Sequence, residues 1–272
     1  MSRRLERLTQ TGGAAVLAAS IALSGCGRAD LKRSATAPAR SARAARGERG
    51  TAGPDAGPGA KQLAPRVAVP LPLTAARAAS FASAVTLSRA DLPGSAPSPR
   101  SKRNPSEERE AAKCGARETK AIGGGRSPDF QRGKGLDRES ISSGVDVLSD
   151  ASAVKGDLAY TASRAGLTCY AKVLTKSLRG EADTSVRILG LHVSTLGLGI
   201  GPGQQARGIR ITARVGIAGS GITVRLFVDA LSLPYGPAEL DLYTTSFVQP
   251  VAERTASELL TLLSERARLH PL

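Results

Sequence analysis

The chain has 272 residues, a net charge of +15, only 3% aromatic residues and no Trp. That length is compatible with one or two domains. A nucleic-acid reading is excluded by the pattern rather than the amount of charge. The basic residues are densest in the N-terminal third, with no interleaved aromatics and no recognisable binding module.

The N-terminus opens with Arg3, Arg4 and Arg7, then the short apolar run Ala14–Leu23, then Leu23-Ser24-Gly25-Cys26. A charged start, a short apolar core and small residues before a cleavage point form the layout of a secretory leader. The run is too short to span the bilayer as a helix. Leu23-Ser24-Gly25-Cys26 resembles the lipobox of bacterial lipoproteins. The resemblance implies a signal peptide over residues 1–25 and lipidation of Cys26 by palmitate-type acyl chains. It also implies a location on the extracytoplasmic face of the cell membrane, with the membrane as a partner through the lipid anchor.

Residues 26–65 hold almost no large apolar side chains and are filled with Ala, Arg, Gly and Pro. Such a segment cannot bury enough surface to offset its ordering entropy, so it reads as a disordered tether. As a coil it would span roughly 35 Å, and its charge suits an anionic envelope polymer.

Residues 66–272 read as a single domain whose regular core starts at about residue 140. Apolar character returns at Val67–Leu73 and Phe81–Leu92. Ser95–Ser106 and Gly123–Gly135 read as loops, separated by a short helix over Glu107–Cys114. Ile141–Leu148 is an expected strand. Ser149 or Asp150 then caps a helix with Val154, Leu158 and Ala162 on one face, and a second helical stripe runs from Leu167 to Leu178. Val186–Leu196 is a strand with a bulge near Leu189–Gly190. Ile209–Ile217 and Ile222–Ala230 alternate with period two about a hairpin at Ala218–Gly221. Pro234–Pro237 turns the chain into Ala238–Val248. Pro250 is expected to open a final helix with an Ala252, Ala256, Leu259, Leu260, Leu263 and Ala267 stripe. The fold class is α+β, an antiparallel β-meander sheet with one polar face and helices packed on the other.

Cys26, Cys114 and Cys169 are the cysteines. With Cys26 lipidated, Cys114 and Cys169 remain as a pair in an oxidising compartment and are expected to form a disulfide if their backbones lie close enough. No C-x-x-C or Cys/His cluster points to a metal.

Catalytic motifs do not survive inspection. Gly197–Gly203 lacks the Lys-Ser/Thr and the spacing of a phosphate loop and reads as a flexible hairpin loop. Gly219-Ser220-Gly221 lacks the five-residue pattern of a nucleophile elbow. His192 and His270 have no supporting motif. Glu239 and Asp241 share one strand face, where arginines of neighbouring strands would pair with them. The remaining ligand-binding candidates are Arg210, Arg214 and Arg225, which could meet an anionic ligand. No cofactor and no enzyme activity are expected.

Phe81-Ala-x-Ala-Val-x-Leu, Asp91-Leu-Pro-Gly94, Cys114, Ser127-Pro-Asp-Phe130, Ser142-Ser-x-Val145 and Cys169-Tyr170 carry a further resemblance, over about residues 75–270. The domain resembles uncharacterised exported lipoproteins of high-GC Gram-positive-type bacteria. These are related in architecture to the extracellular sensor domains of Ser/Thr kinases and to PsbP-like α/β sandwiches. That resemblance implies a surface-anchored, non-catalytic binding or sensor-like domain. The alternative is a structural cell-envelope interaction protein, and a hydrolase is a lesser one.

Overall fold

A computed structural model describes residues 72–98, Cys114, 121–181, 186–201, 203–217 and 221–272. The expected leader, Cys26 and the tether over 26–65 lie outside these residues. So does the helix expected over Glu107–Cys114, apart from Cys114 itself.

Four helices and eight strands make an α+β fold. In chain order they are α1 (Ala75–Val85), β1 (Ala96–Pro97), β2 (Gly123–Arg126), β3 (Phe130–Arg132), β4 (Glu139–Val147), α2 (Ala151–Thr161), α3 (Arg164–Glu181), β5 (Val186–Gly201), β6 (Gln204–Ile217), β7 (Thr223–Tyr235), β8 (Ala238–Phe247) and α4 (Glu253–Leu269). One antiparallel sheet runs β1-β3-β4-β8-β7-β6-β5, with β2 paired to the other half of β4. The run β5 to β8 is the meander read from period-two alternation. The bulge also falls where the alternation slips, between Ile188 and Gly190.

The buried side chains form two clusters, one on each sheet face. On the first face, Val145, Val147, Leu231, Leu233, Leu240 and Leu242 pack against Phe81 and Val85 of α1 and Leu259, Leu260 and Leu263 of α4. On the second, Ile209, Ile211, Val215, Val224, Leu226 and Val228 pack against Tyr170 and Val173 of α3. Helices on one face only was the expectation, and this division corrects it. Helices α2 and α3, of 11 and 18 residues, lie over the face that the alternation marked as solvated. Strand β8 is consequently buried along nine of its ten residues on both faces.

Three smaller expectations also change. The glycine-rich 123–126 segment is a strand, because glycine lets α1 approach it. A Cβ on Gly123 would meet the Ala78 Cβ at 2.9 Å, and one on Gly125 the Ala82 Cβ at 3.0 Å. Gly197–Gly201 likewise extends β5 instead of forming a loop, with the hairpin turn displaced to its end. The final helix begins at Glu253 with Ala252 as its N-cap, three residues after Pro250. Its buried stripe, Ala256, Leu259, Leu260, Leu263 and Ala267, is as read, with Ala252 outside it.

Ends and loops are fixed by polar contacts. The Asp150 carboxylate caps α2, accepting from the Ser152 and Ala153 N–H groups at 2.8 and 2.9 Å. Arg266 of α4 donates to the Thr86 carbonyl at 3.0 Å and pairs with Asp91, which ties the end of α1 to α4.

Cys114 and Cys169 form a disulfide with Cα atoms 5.5 Å apart. It closes a loop over a sequence separation of 55 and fastens that loop to α3. A constraint of that length on the unfolded chain is worth about 4 kcal/mol in a chain-entropy treatment. Reduction should therefore lower the urea midpoint substantially without changing the fold, and Cys169→Ala should match the reduced protein. Thiol titration of the denatured, unlipidated chain should find Cys26 alone before reduction and all three cysteines after it.

Candidate functional site

The strand that carries the site is β8. Its even positions, Leu240 and Leu242, face α1 and α4, so Glu239, Asp241 and Tyr243 face α2 and α3. Antiparallel register then puts Asp146 of β4 beside Glu239, and Gly144 beside Asp241. On the far edge of β4, Arg126 of β2 pairs with Gly144. The missing side chain at Gly144 leaves these groups facing one another across β4. A Cβ there would lie 3.4 Å from Asp241 Oδ2, 3.5 Å from Tyr243 Cε2 and 3.6 Å from Arg126 Cγ.

Helix α2 closes the site from above, and it does so in an unusual way. Its buried residues are Val154 and Asp157, so a carboxylate takes the place of the second member of an apolar stripe. Asp157, Asp146, Glu239 and Asp241, together with Arg126, Ser232, Tyr170 and Tyr243, line a cavity of about 40 Å³. By volume it has room for a few water molecules and no larger ligand.

Four carboxylates and one guanidinium therefore share a small, largely enclosed space. Burial raises Asp146 to about 7, against the pull of Arg126 and with added repulsion from Asp241 and Asp157. Burial is also the main reason that Glu239 rises well above its ordinary value, helped by Asp241 and Asp157. Asp241 is raised by burial too, while bonds from Ser232 and the charge of Arg126 hold it back. Ser232 Oγ donates to Asp241 Oδ1 at 2.6 Å. Tyr243 is pushed well up by burial and by Asp241, so it stays a neutral phenol. Arg126 lies over its ring at 5.3 Å from the centroid, a cation–π contact, and 3.8 Å from Asp146. Although burial works against its charge, Tyr243, Asp146 and Asp241 raise the pKa of Arg126.

Chemically, the arrangement can hold and release protons. Interacting carboxylates titrate as a unit rather than as separate groups. Among the described residues, no three His, Cys, Asp or Glu side chains are grouped as metal ligands. His192 stands exposed on β5, and His270 follows α4; neither lines the cavity.

The predicted arginines lie on the opposite sheet face. Arg210 forms a two-pronged pair with Asp229, its direct cross-strand neighbour, at 2.7 and 2.8 Å. The expected partners, Glu239 and Asp241, are corrected by register: they point to the other face and keep Arg126 instead. Arg214 and Arg225 are exposed and sit opposite each other. The three arginines thus share a face without forming one ligand cleft.

Sequence reasoning missed Arg126, Asp146 and Asp157. Two signals point to them. Strand β8 carries bulky residues at both parities, the mark of a strand buried on both faces. Asp157 falls one helical turn after Val154, where an apolar residue would continue the stripe.

In comparisons with known proteins, the chain matches no family model and no curated protein. No described helix is long and apolar enough to cross a membrane.

Among the described residues, Arg126 is the only cation lining the cavity, so its removal discriminates between protonation states. Arg126→Met should cost about 3–5 kcal/mol at pH 8, where uncompensated buried charge remains. At pH 5 Asp146, raised to about 7, keeps its proton and needs no counter-charge, so the cost should be smaller. Urea unfolding of wild type and variant at the two pH values measures the difference.

Proposed function

We propose that this protein is a surface-anchored, non-catalytic sensor-like domain, held at the extracytoplasmic face of the membrane by lipid on Cys26. The proton is the ligand of the buried carboxylate cluster. The observation that carries the reading is the seating of α2, which rests on the sheet through Asp157 rather than through an apolar stripe.

The sign of the response follows from the raised pKa values. A carboxyl raised in the fold binds its proton more tightly there than in the unfolded chain. Its contribution is fully present below about pH 4, declines as the pH rises, and is lost by about pH 7 for Asp146. Glu239, also raised by burial, contributes in the same sense. In the acidic state, the neutral groups let α2 settle on Asp146, Glu239 and Asp241. In the basic state, ionised carboxylates from β4 and β8 gather beneath α2 with Arg126 as their counter-charge, and α2 is the element they push away.

The reading as an exported protein is supported by the lipobox and by the Cys114–Cys169 disulfide, which persists in oxidising compartments. A binding role is supported by the cavity's residue types. Its Ser232 hydroxyl is committed to Asp241, and no histidine stands by as a base.

Amide exchange, corrected for its intrinsic pH dependence, tests the response. Protection of α2 should fall between pH 6 and pH 8 while protection of α4 holds, and Asp146→Asn should flatten the change. Parallel loss in both helices, or an α2 indifferent to pH, overturns the sensor reading. Cys26→Ser should separately release the protein from cell membranes; a variant that survives alkaline washing of the membranes would remove the anchor from the account.

A further inference from the structure

The four meander strands end together on the side away from the β7–β8 turn. There β5 begins at Val186, β6 ends at Ile217, β7 begins at Thr223 and β8 ends at Phe247. The stretches 186–193, 211–217, 221–228 and 245–249 contain Arg187, Arg214, Arg225 and His192, and no Asp or Glu. Arg214 stands directly across from Arg225, a like-charge pairing that weakens a sheet. Among the described residues, no carboxylate forms an ion pair with either. Arg210, one pair further in, is already neutralised by Asp229.

Exposed apolar side chains gather at the same place. Leu189, Ile222 and Val248 are 46%, 38% and 54% exposed, and only Leu269 joins them as a large exposed hydrophobic among the described residues. Leu189 protrudes at the β5 bulge, where a Cβ on Gly216 would meet it at 3.3 Å, on the face that carries Arg214. Val248 has a φ of 71°, the left-handed region that a β-branched residue avoids. Its N–H is fixed to the Arg225 carbonyl at 2.8 Å. A strained backbone, tied to β7 at Arg225, thus keeps an apolar side chain exposed at this tip.

Cations alone would suit any polyanion. Cations around a small apolar tip suit an anionic bilayer, where arginines meet phosphate and the apolar residues enter the headgroup boundary. We infer that this strand tip docks on an anionic lipid surface through Arg187, Arg214 and Arg225 with Leu189, Ile222 and Val248. The contact is separate from the carboxylate cluster and does not depend on acylation of Cys26.

The test uses the full-length chain carrying Cys26→Ser, so that no acyl chain contributes. It is sedimented with vesicles of mixed phosphatidylglycerol and phosphatidylcholine, with phosphatidylcholine alone, and titrated with soluble polyphosphate. Arg214→Glu with Arg225→Glu should weaken binding to the mixed vesicles by about 30-fold, at roughly a factor of five for each basic residue lost. The charge-matched control Lys155→Glu with Arg268→Glu, both exposed elsewhere, should change it much less. Val248→Gly separates the apolar part from folding, because relief of the left-handed strain should raise Tm by about 2–4 °C while binding falls about fivefold. Equal losses in the control and the tip variant, or a Val248→Gly protein that binds as well as wild type, overturn the inference. Tight binding of polyphosphate with no binding to the mixed vesicles would replace the lipid surface by a soluble polyanion.

Discussion

Covering a polar strand face with helices governs this domain. Strand β8 needs both of its faces filled, and one of them carries Glu239, Asp241 and Tyr243. Helices α2 and α3 supply the cover, so the carboxylates are taken out of water. Arg126, projecting from the far side of β4 through the gap at Gly144, is the counter-charge that makes the burial tolerable. The position of β2, the glycine in β4 and the inward Asp157 of α2 all bear on that one desolvation problem. Isolated buried charge costs several kcal/mol per ion even after relaxation, so the groups retain protons instead.

Carboxylates outside the cluster follow different electrostatics. Asp91, partly buried, is kept below its ordinary pKa because bonds from Arg266 and Ser88 outweigh the burial that opposes its charge. Asp150, at the start of α2, is lowered to about 2 by bonds from Ser152, Ala153 and Ser149. These carboxylates contribute while ionised and lose their contribution only in strong acid. The cluster under α2 behaves in the reverse sense. One helix is therefore capped by a group that prefers to be charged and seated on groups that prefer to be neutral. The window in which both conditions hold is mildly acidic.

Much of the architecture was legible in the residues because it rests on unbroken periods. Ile209 to Ile217 and Val224 to Ala230 alternate without interruption, and Leu259, Leu260 and Leu263 mark the buried side of α4. The site was not legible for three physical reasons. Glycine in Gly123–Gly125 reads as a loop unless a helix is known to press on it. The stripe expected in α2 relied on Leu158 and Ala162, yet after Val154 the helix turns Asp157 inward. Glu239 and Asp241 read as solvent-facing because alternation reports the polarity of a face and not whether anything covers it. Cross-strand register, which chose Asp229 over Glu239 for Arg210, depends on turn geometry that composition does not encode.

The outermost strand has a consequence of another kind. Strand β5 is 16 residues long, and among the described residues no strand pairs with its outer side. A straight border of that length would present a row of free amides and carbonyls to any second copy of the chain. Two register shifts, at Ile188/Gly190 and Gly199/Gly201, break the row at either end, and Gly197 deprives it of side-chain packing in between. Such irregularities make β5 a poor template for pairing with a second copy.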